Sequence, residues 1–222
     1  MLLAGLLIIH TVVLGYWLGA ELVINAGYRL VCYAEDMPFA QRDRLMDHVM
    51  RVDQHVRYAL VLQASLGLML AAGYGYVPGG ERLMISAGIF GLSWLAFIEL
   101  VHRQRKRPAG HLLAQIDRWF RYLLLGVLLA VASSLLGDAW PLPAWLRWKL
   151  AAFAGVIACG VGIRLALLGH FKAWARMANG EVTQADNAVV QRIYLQATSV
   201  LAVLWVFLGF MAALSVFKPA MS

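Results

Sequence analysis

MLLAGLLIIHTVVLGYWLG, residues 1–19 of the chain, is a long apolar stretch with an imidazole, His10, near its middle. An ionisable side chain inside a membrane span is costly and is a functional hypothesis by default. Leu14, Trp17 and Glu21 follow His10 at i+4, i+7 and i+11, so the four side chains share one helix face. The spacing predicts that this face is directed toward the protein interior rather than toward lipid.

The composition is that of an integral membrane protein, with 62% hydrophobic residues, 14% charged residues and a mean hydropathy of +0.70. Because about 20 helical residues cross about 30 Å of hydrocarbon, the apolar stretches nearly fill the chain. We predict an all-α polytopic membrane protein, with residues 1–222 forming a single integral membrane domain. Its six predicted transmembrane helices are 2–26, 58–77, 83–102, 120–137, 147–170 and 194–217.

Basic residues concentrate in the first, third and fifth connections between these spans. They are Arg42, Arg44, Arg51, Arg57, Arg103, Arg105, Lys106, Arg107, Arg118, Arg121, Lys172, Arg176 and Arg192. By the positive-inside rule these connections are cytoplasmic and both termini lie outside a bacterial-type inner (plasma) membrane. The net charge of +7 follows this topology, so no nucleic-acid binding is predicted. Trp140, Trp145 and Trp148 are expected to form an outer aromatic belt.

A short motif recurs where the second and fourth spans begin. VDQHVRY at 52–58 aligns with IDRWFRY at 116–122, and VQRIY at 190–194 is a fainter third copy. The repeat predicts three related helical hairpins. The alternative is that Asp, Arg and Tyr at helix entries only satisfy capping and interface preferences. Residues 37–58 contain no Gly and only one leading Pro, so the second helix is expected to begin within the cytoplasm.

Three charged residues, Glu21, Glu99 and Arg164, are predicted near the cytoplasmic leaflet on three different helices. An unpaired charge at this depth costs several kcal/mol, so mutual pairing is expected. Two interpretations remain open, a structural Glu–Arg–Glu clamp and a proton or ion relay. The clamp is favoured because no further acid continues the path outward.

The remaining histidines all fall on the cytoplasmic side, where we expect solvated surface groups: His48, His55, His102, His111 and His170. Glu99-x-x-His102 has the ligand spacing of di-iron bundles but lacks a second copy. A metal site among these groups is therefore the less favoured alternative. Cys32 and Cys159 lack metal or disulfide spacing and are expected to be packing residues.

His10 differs from these histidines because it lies about 12 Å from the outer end of its predicted helix. The other histidines are on the far side of the membrane, while Lys149 reaches a similar level near the start of the fifth span. Two alternatives stay open for His10. It is either hydrogen-bonded to a neighbouring carbonyl or hydroxyl, or it is a metal ligand or proton donor at an outward-facing cofactor.

His10 followed seven residues later by Trp17, then Leu18-Gly19, resembles the first helix of a superfamily of small membrane proteins. The superfamily includes the copper-resistance D proteins and the membrane protoporphyrinogen oxidase of the haem pathway. LQASLGL at 62–68 is similar to their second-helix pattern, and WLRWKL at 145–150 to a later helix start. The resemblance implies that His10, Trp17 and Lys149 contribute to binding b-type haem or porphyrin. The oxidase's Pro-Arg-Leu motif and four-helix count are absent, so porphyrinogen oxidation itself is not predicted.

The function expected from the sequence is haem b binding near the outer (periplasmic) face, with a redox or electron-transfer role. Quinone or another membrane subunit would then exchange electrons with the haem, and a homo-oligomer is compatible with this role. One alternative is a metal-ion (copper-like) permease or handling protein, whose path would be lined by His10, the methionines and the level of Glu21, Glu99 and Arg164. Another is a non-catalytic accessory subunit of a larger membrane complex.

Overall fold

The computed structural model describes residues 1–104, 107, 109–135, 141–180 and 182–217. The described residues form six α-helices and no strand. The helices are α1 (Leu2–Tyr33), α2 (Phe39–Gly73), α3 (Gly80–Gln104), α4 (Ala109–Ala132), α5 (Ala144–Asn179) and α6 (Gln184–Phe217). Arg105, Lys106 and Trp140, which entered the topology and belt predictions, lie outside the described residues.

Five of these helices, α1, α2, α3, α5 and α6, are long and apolar enough to cross a membrane. Three charged residues around the middle of α4, Asp117, Arg118 and Arg121, lower the hydropathy of this helix. The prediction of an all-α chain with several membrane-crossing helices is therefore confirmed for the described residues. Six crossings and two outside termini stay predictions.

Four helices are longer than a bilayer requires: α1, α2, α5 and α6 have 32, 35, 36 and 34 residues. At 1.5 Å per residue each extends about 20 Å beyond the hydrocarbon thickness. The expected early start of the second helix is confirmed, since α2 begins at Phe39, directly after Pro38.

The expected outer ends of two spans are wrong. The predicted span 58–77 runs past the end of α2 at Gly73, and 120–137 runs past the end of α4 at Ala132. Gly75 and Ser134 adopt φ values of 74° and 59°, which end a right-handed helix. Apolar residues continue beyond both points, so hydropathy alone extended the spans too far.

The chain divides into two compact units, each discontinuous in sequence because α1 and α2 contribute to both. The first unit takes in Met1–Glu21 and Asp53–Arg147. Within it, Trp94 of α3 packs edge-on against Phe120 of α4, with ring centroids 4.7 Å apart. A second apolar cluster lies where α2 ends and α5 begins and includes Ala72, Val77 and Leu146.

The second unit takes in Leu22–Val52 and the described part of Trp148–Pro219. Its core combines the last turns of α1, the first turns of α2, the end of α5 and the start of α6. The buried members are Tyr28, Val31, Cys32, Met46, Val49, Ala173, Trp174, Met177, Val190, Tyr194 and Ala197. Cys32 is buried and free, and Cys159 is half-buried and free, as expected for packing residues.

The repeated motif forms the same local ion pair at both strong copies. Arg57 Nε lies 3.3 Å from Asp53 Oδ2, and Arg121 Nη2 lies 2.8 Å from Asp117 Oδ2. In the faint third copy, Gln191 instead donates to Glu35 Oε1 at 2.6 Å. Since Asp and Arg at i, i+4 meet on any helix surface, the pairs leave both interpretations of the repeat open.

Candidate functional site

The His10 face of α1 is turned inward, as its spacing predicted. Trp17 is 1% exposed and Glu21 is 7% exposed, while His10 is half-buried. Trp17 Nε1 donates a hydrogen bond to Glu21 Oε1 at 3.3 Å, one turn along the same face. Thr11 lies off this face and its hydroxyl donates to Leu7 O of its own helix.

His10 meets α2 at two residues of the LQASLGL segment. Gln63 Nε2 donates to the backbone oxygen of His10 at 2.8 Å. One turn further along α2, a Cβ placed at Gly67 would lie 3.5 Å from His10 Cε1, so the imidazole lies against the glycine backbone. Gln63 and Gly67 share a helix face because they are four residues apart. The first two segments of the family resemblance are therefore in contact.

The chemistry of these residues fits a haem that His10 would hold through a ring nitrogen. A neutral imidazole is the usual b-type ligand, and a neighbouring glycine leaves space beside the ring that a side chain would fill. Lys149, carried over by the resemblance, belongs to the second unit, where its ammonium donates to Ser215 Oγ at 2.7 Å. A role for Lys149 toward haem stays a prediction.

Glu99 has partners within the first unit. It accepts a hydrogen bond from the Tyr58 hydroxyl of α2 and pairs with Arg103 Nε, one turn along α3, at 2.5 Å. Sequence analysis missed both partners, although Tyr58 closes the first copy of the repeat. Arg164 belongs to the second unit, and its pairing with Glu21 or Glu99 stays a prediction.

A run of polar groups links α1, α2 and α3 beside Glu99. Tyr16 of α1 shares a 2.5 Å hydrogen bond with His55 Nδ1 of α2. The His55 ring in turn meets Tyr58 edge-on, with centroids 6.1 Å apart. His55 is exposed, as expected, and its hydrogen bond to Tyr16 also connects α1 to α2. The step from His55 to Tyr58 is a ring contact, so the hydrogen bonds do not form a continuous chain.

A second polar cluster, which sequence analysis did not find, lies in the core of the second unit. The expectation that His170 is solvated is wrong, because its side chain is 0% exposed. Its Nδ1 shares a 2.9 Å hydrogen bond with the Tyr28 hydroxyl, and its ring stacks on Trp174 at 5.1 Å. The cause is the extra length of α5: its last turns continue beyond the predicted span and pack against other helices, so His170 at the end of that span becomes interior.

Arg42, counted among the topology-setting charges, is also buried in this cluster, at 1% exposure. Its Nε donates to Val31 O at 2.9 Å and its Nη1 donates to Asn187 Oδ1 at 3.0 Å. The guanidinium carbon lies 5.3 Å from the centre of the Trp174 ring. Arg42 therefore connects α1, α2, α5 and α6 within the second unit.

Among the described residues, no three His, Cys, Asp or Glu side chains converge in a way that could hold a metal ion. The Glu99-x-x-His102 spacing is thus not joined there by further ligands. Comparison of the chain with protein-family models, curated proteins and solved structures finds no match.

Proposed function

We propose that the chain is a multi-pass membrane protein that binds a b-type haem through His10 near its outer face and serves in electron transfer. The observation that supports this proposal is the contact of His10 with Gln63 and Gly67. That contact joins the first-helix and second-helix segments on which the family resemblance rests. When bound, a b-type haem supplies one-electron redox chemistry.

The residues around His10 would each have a defined task. The imidazole would provide the nitrogen that holds the haem iron. The Gln63 amide, which donates to the backbone oxygen of His10, would fix the position of this residue relative to α2. Gly67 keeps one edge of the imidazole free of a side chain. Trp17, two turns along the same face, fills the interior and orients Glu21. We place the protein in a bacterial-type inner membrane, with quinone or another membrane subunit as electron partner.

The metal-permease alternative needs several ligands along one path. Within the described ranges no group of three His, Cys, Asp or Glu side chains provides one, and Glu99 is engaged by Tyr58 and Arg103. The contact between His10 and Gly67 favours one bound group held by the imidazole over a series of ion-binding sites along a path. Haem binding is therefore the function that the geometry around His10 supports best.

The visible spectrum of the full chain, purified in detergent from a haem-replete host, tests the proposal. We expect a Soret band and dithionite-reducible α and β bands in the wild type, and their loss in His10→Ala. Thr11→Val is the matched control, because the Thr11 hydroxyl donates to a backbone oxygen of its own helix. This variant should keep the spectrum unchanged. Full haem retention in His10→Ala would overturn the assignment. A colourless protein that retains metal would support the permease, and a colourless, metal-free protein that co-purifies with partners would support the accessory subunit.

A further inference from the structure

The guanidinium of Arg42 is buried with part of its hydrogen-bonding capacity unused. A guanidinium carries five N–H donors, of which Nε and Nη1 reach Val31 O and Asn187 Oδ1. Both acceptors are neutral. Nη2 is buried and makes no hydrogen bond to any residue that the structure describes. Among the described residues, the hydrogen-bond acceptors of this buried cation are thus a carbonyl and an amide, and its guanidinium carbon also lies over the Trp174 ring.

Three acidic residues at this end of the second unit, Asp43, Glu35 and Asp186, have other hydrogen-bond partners. Asp43 accepts a hydrogen bond from Trp174 Nε1 at 2.8 Å, and Glu35 accepts one from Gln191 Nε2 at 2.6 Å. Asp186 pairs with Arg176 at 2.7 Å. In the described ranges no carboxylate forms an ion pair with Arg42. The Glu35 carboxylate acts on Arg42 from beyond ion-pair distance. A buried charge without a directly paired counter-charge is unfavourable, so an anion in contact with the guanidinium would be stabilising here.

His170 presents a second unused polar atom on the same aromatic ring. Its Nε2 is buried without a hydrogen-bond partner in the described part of the chain, while Nδ1 shares its bond with the Tyr28 hydroxyl. If that hydroxyl donates to Nδ1, Nε2 carries the proton and is itself a donor. Trp174 contacts both groups, with its ring 5.3 Å from the Arg42 guanidinium carbon and 5.1 Å from the His170 ring centre.

We propose that Arg42 and His170 form a buried oxyanion site that takes a phosphate group, either as inorganic phosphate or as the headgroup phosphate of a phospholipid. Two N–H donors and a fixed positive charge suit such a group, because guanidinium–phosphate hydrogen bonds are charge-assisted and geometrically matched. A water molecule could accept one of these bonds but would supply no negative charge in contact with the Arg42 guanidinium. The site is independent of His10 and of haem.

Two measurements on the full chain in detergent test the site and separate the two sources. The first is lipid phosphorus that stays with the protein after extensive washing in phosphate-free detergent buffer. The second is equilibrium binding of radiolabelled inorganic phosphate to the washed protein. Retained stoichiometric phosphorus identifies a lipid headgroup, and saturable uptake of inorganic phosphate identifies the free ion.

The variants Arg42→Met and His170→Leu locate the binding. Each should weaken it about tenfold or more, since each removes a hydrogen bond to a charged group. Arg44→Met is the matched control, because Arg44 is exposed on the same helix. Arg42→Lys keeps the charge and serves if Arg42→Met fails to fold; it should bind more weakly than the wild type. Absence of both lipid phosphorus and phosphate uptake in the wild type would overturn the proposal, as would equal binding by wild type, Arg42→Lys and His170→Leu.

Discussion

The imidazole of His10 lies against the backbone of Gly67, at a distance that leaves room for a methyl group and no larger side chain. A Cβ at Gly67 would stand 3.5 Å from His10 Cε1, which is ordinary van der Waals contact. A methyl group therefore just fits, whereas a larger side chain would have to displace the imidazole. The pair offers a way to move the His10 ring without removing it.

Gly67→Leu is expected to displace the imidazole and destabilise the first unit by about 1–3 kcal/mol, the usual cost of overpacking. Gly67→Ala should be close to neutral. Both effects are measured by denaturant unfolding in detergent, and the visible spectrum reports on the ligand. If His10 binds haem, Gly67→Leu should also shift or abolish the Soret band.

Gly19→Leu is the control for this substitution, since a Cβ at Gly19 meets nothing within 4 Å. It places the same side chain on the helix that carries His10 but away from the contact. Equal stability of Gly67→Leu and Gly19→Leu, with equal spectra, would show that His10 does not pack against Gly67.

A second close contact, between Ser65 of α2 and Gly91 of α3, can be tested by enlarging Gly91 and then removing the side chain of Ser65. A Cβ at Gly91 would collide with both Oγ and Cβ of Ser65, so Gly91→Ala should destabilise by about 1–3 kcal/mol. Adding Ser65→Gly should recover most of that loss, because it removes both colliding atoms. Thermal unfolding of the single and double variants measures this. A double variant no more stable than Gly91→Ala alone would contradict the contact.

The hydrogen bond from Tyr58 to Glu99 should couple α2 to α3 energetically. In a double-mutant cycle of Tyr58→Phe and Glu99→Gln, we expect a coupling free energy of about 1 kcal/mol, since the acceptor is charged but partly exposed. Arg103→Met should cost less, about 0–1 kcal/mol, because Arg103 is exposed and surface ion pairs are weak. Additive effects of the two cycle variants would show that the bond contributes nothing.

The predictable parts of this molecule were those fixed by local periodicity. The inward burial of Trp17 and Glu21 follows from helical spacing alone, and the early start of α2 follows from the lack of helix breakers after Pro38. The partners of His10 were not predictable from its own segment, because they depend on which helix packs beside it.

The cluster of Arg42 and His170 shows what sequence patterns leave out. Tyr28 and His170 are 142 positions apart, and Arg42 and Asn187 are 145 positions apart, so only the packing of four helix ends brings them together. Arg42 stands in a basic connection, where the positive-inside rule alone accounts for it. The neighbouring sequence does not predict that Arg42 is buried, because the residues next to it are polar or charged.

Cysteine labelling can test the topology, and the structure selects the positions. In the connection between α2 and α3, Gly79 has φ 111° and is strained by any side chain, whereas Pro78 is exposed. Beyond the next connection, Gly110 is buried and His111 is exposed. With Cys32 and Cys159 replaced by Ala, an impermeant maleimide should label Pro78→Cys in intact spheroplasts. It should label His111→Cys only after permeabilisation, because the positive-inside rule predicts that the basic connection is cytoplasmic. The reverse pattern would mean that the topology is inverted.

The same labelling decides whether α4 crosses the membrane. Because it carries Asp117, Arg118 and Arg121, α4 is not one of the five helices that are apolar enough to cross a membrane. Six crossings nevertheless require that α4 also spans the bilayer. If α4 crosses, the connection between α5 and α6 is cytoplasmic, and the exposed Val182→Cys should label only after permeabilisation. If α4 stays on the inner surface, α5 runs in the opposite direction and Val182→Cys labels from outside. We expect the first result, because an inward position of this connection keeps Lys172, Arg176 and Arg192 on the cytoplasmic side.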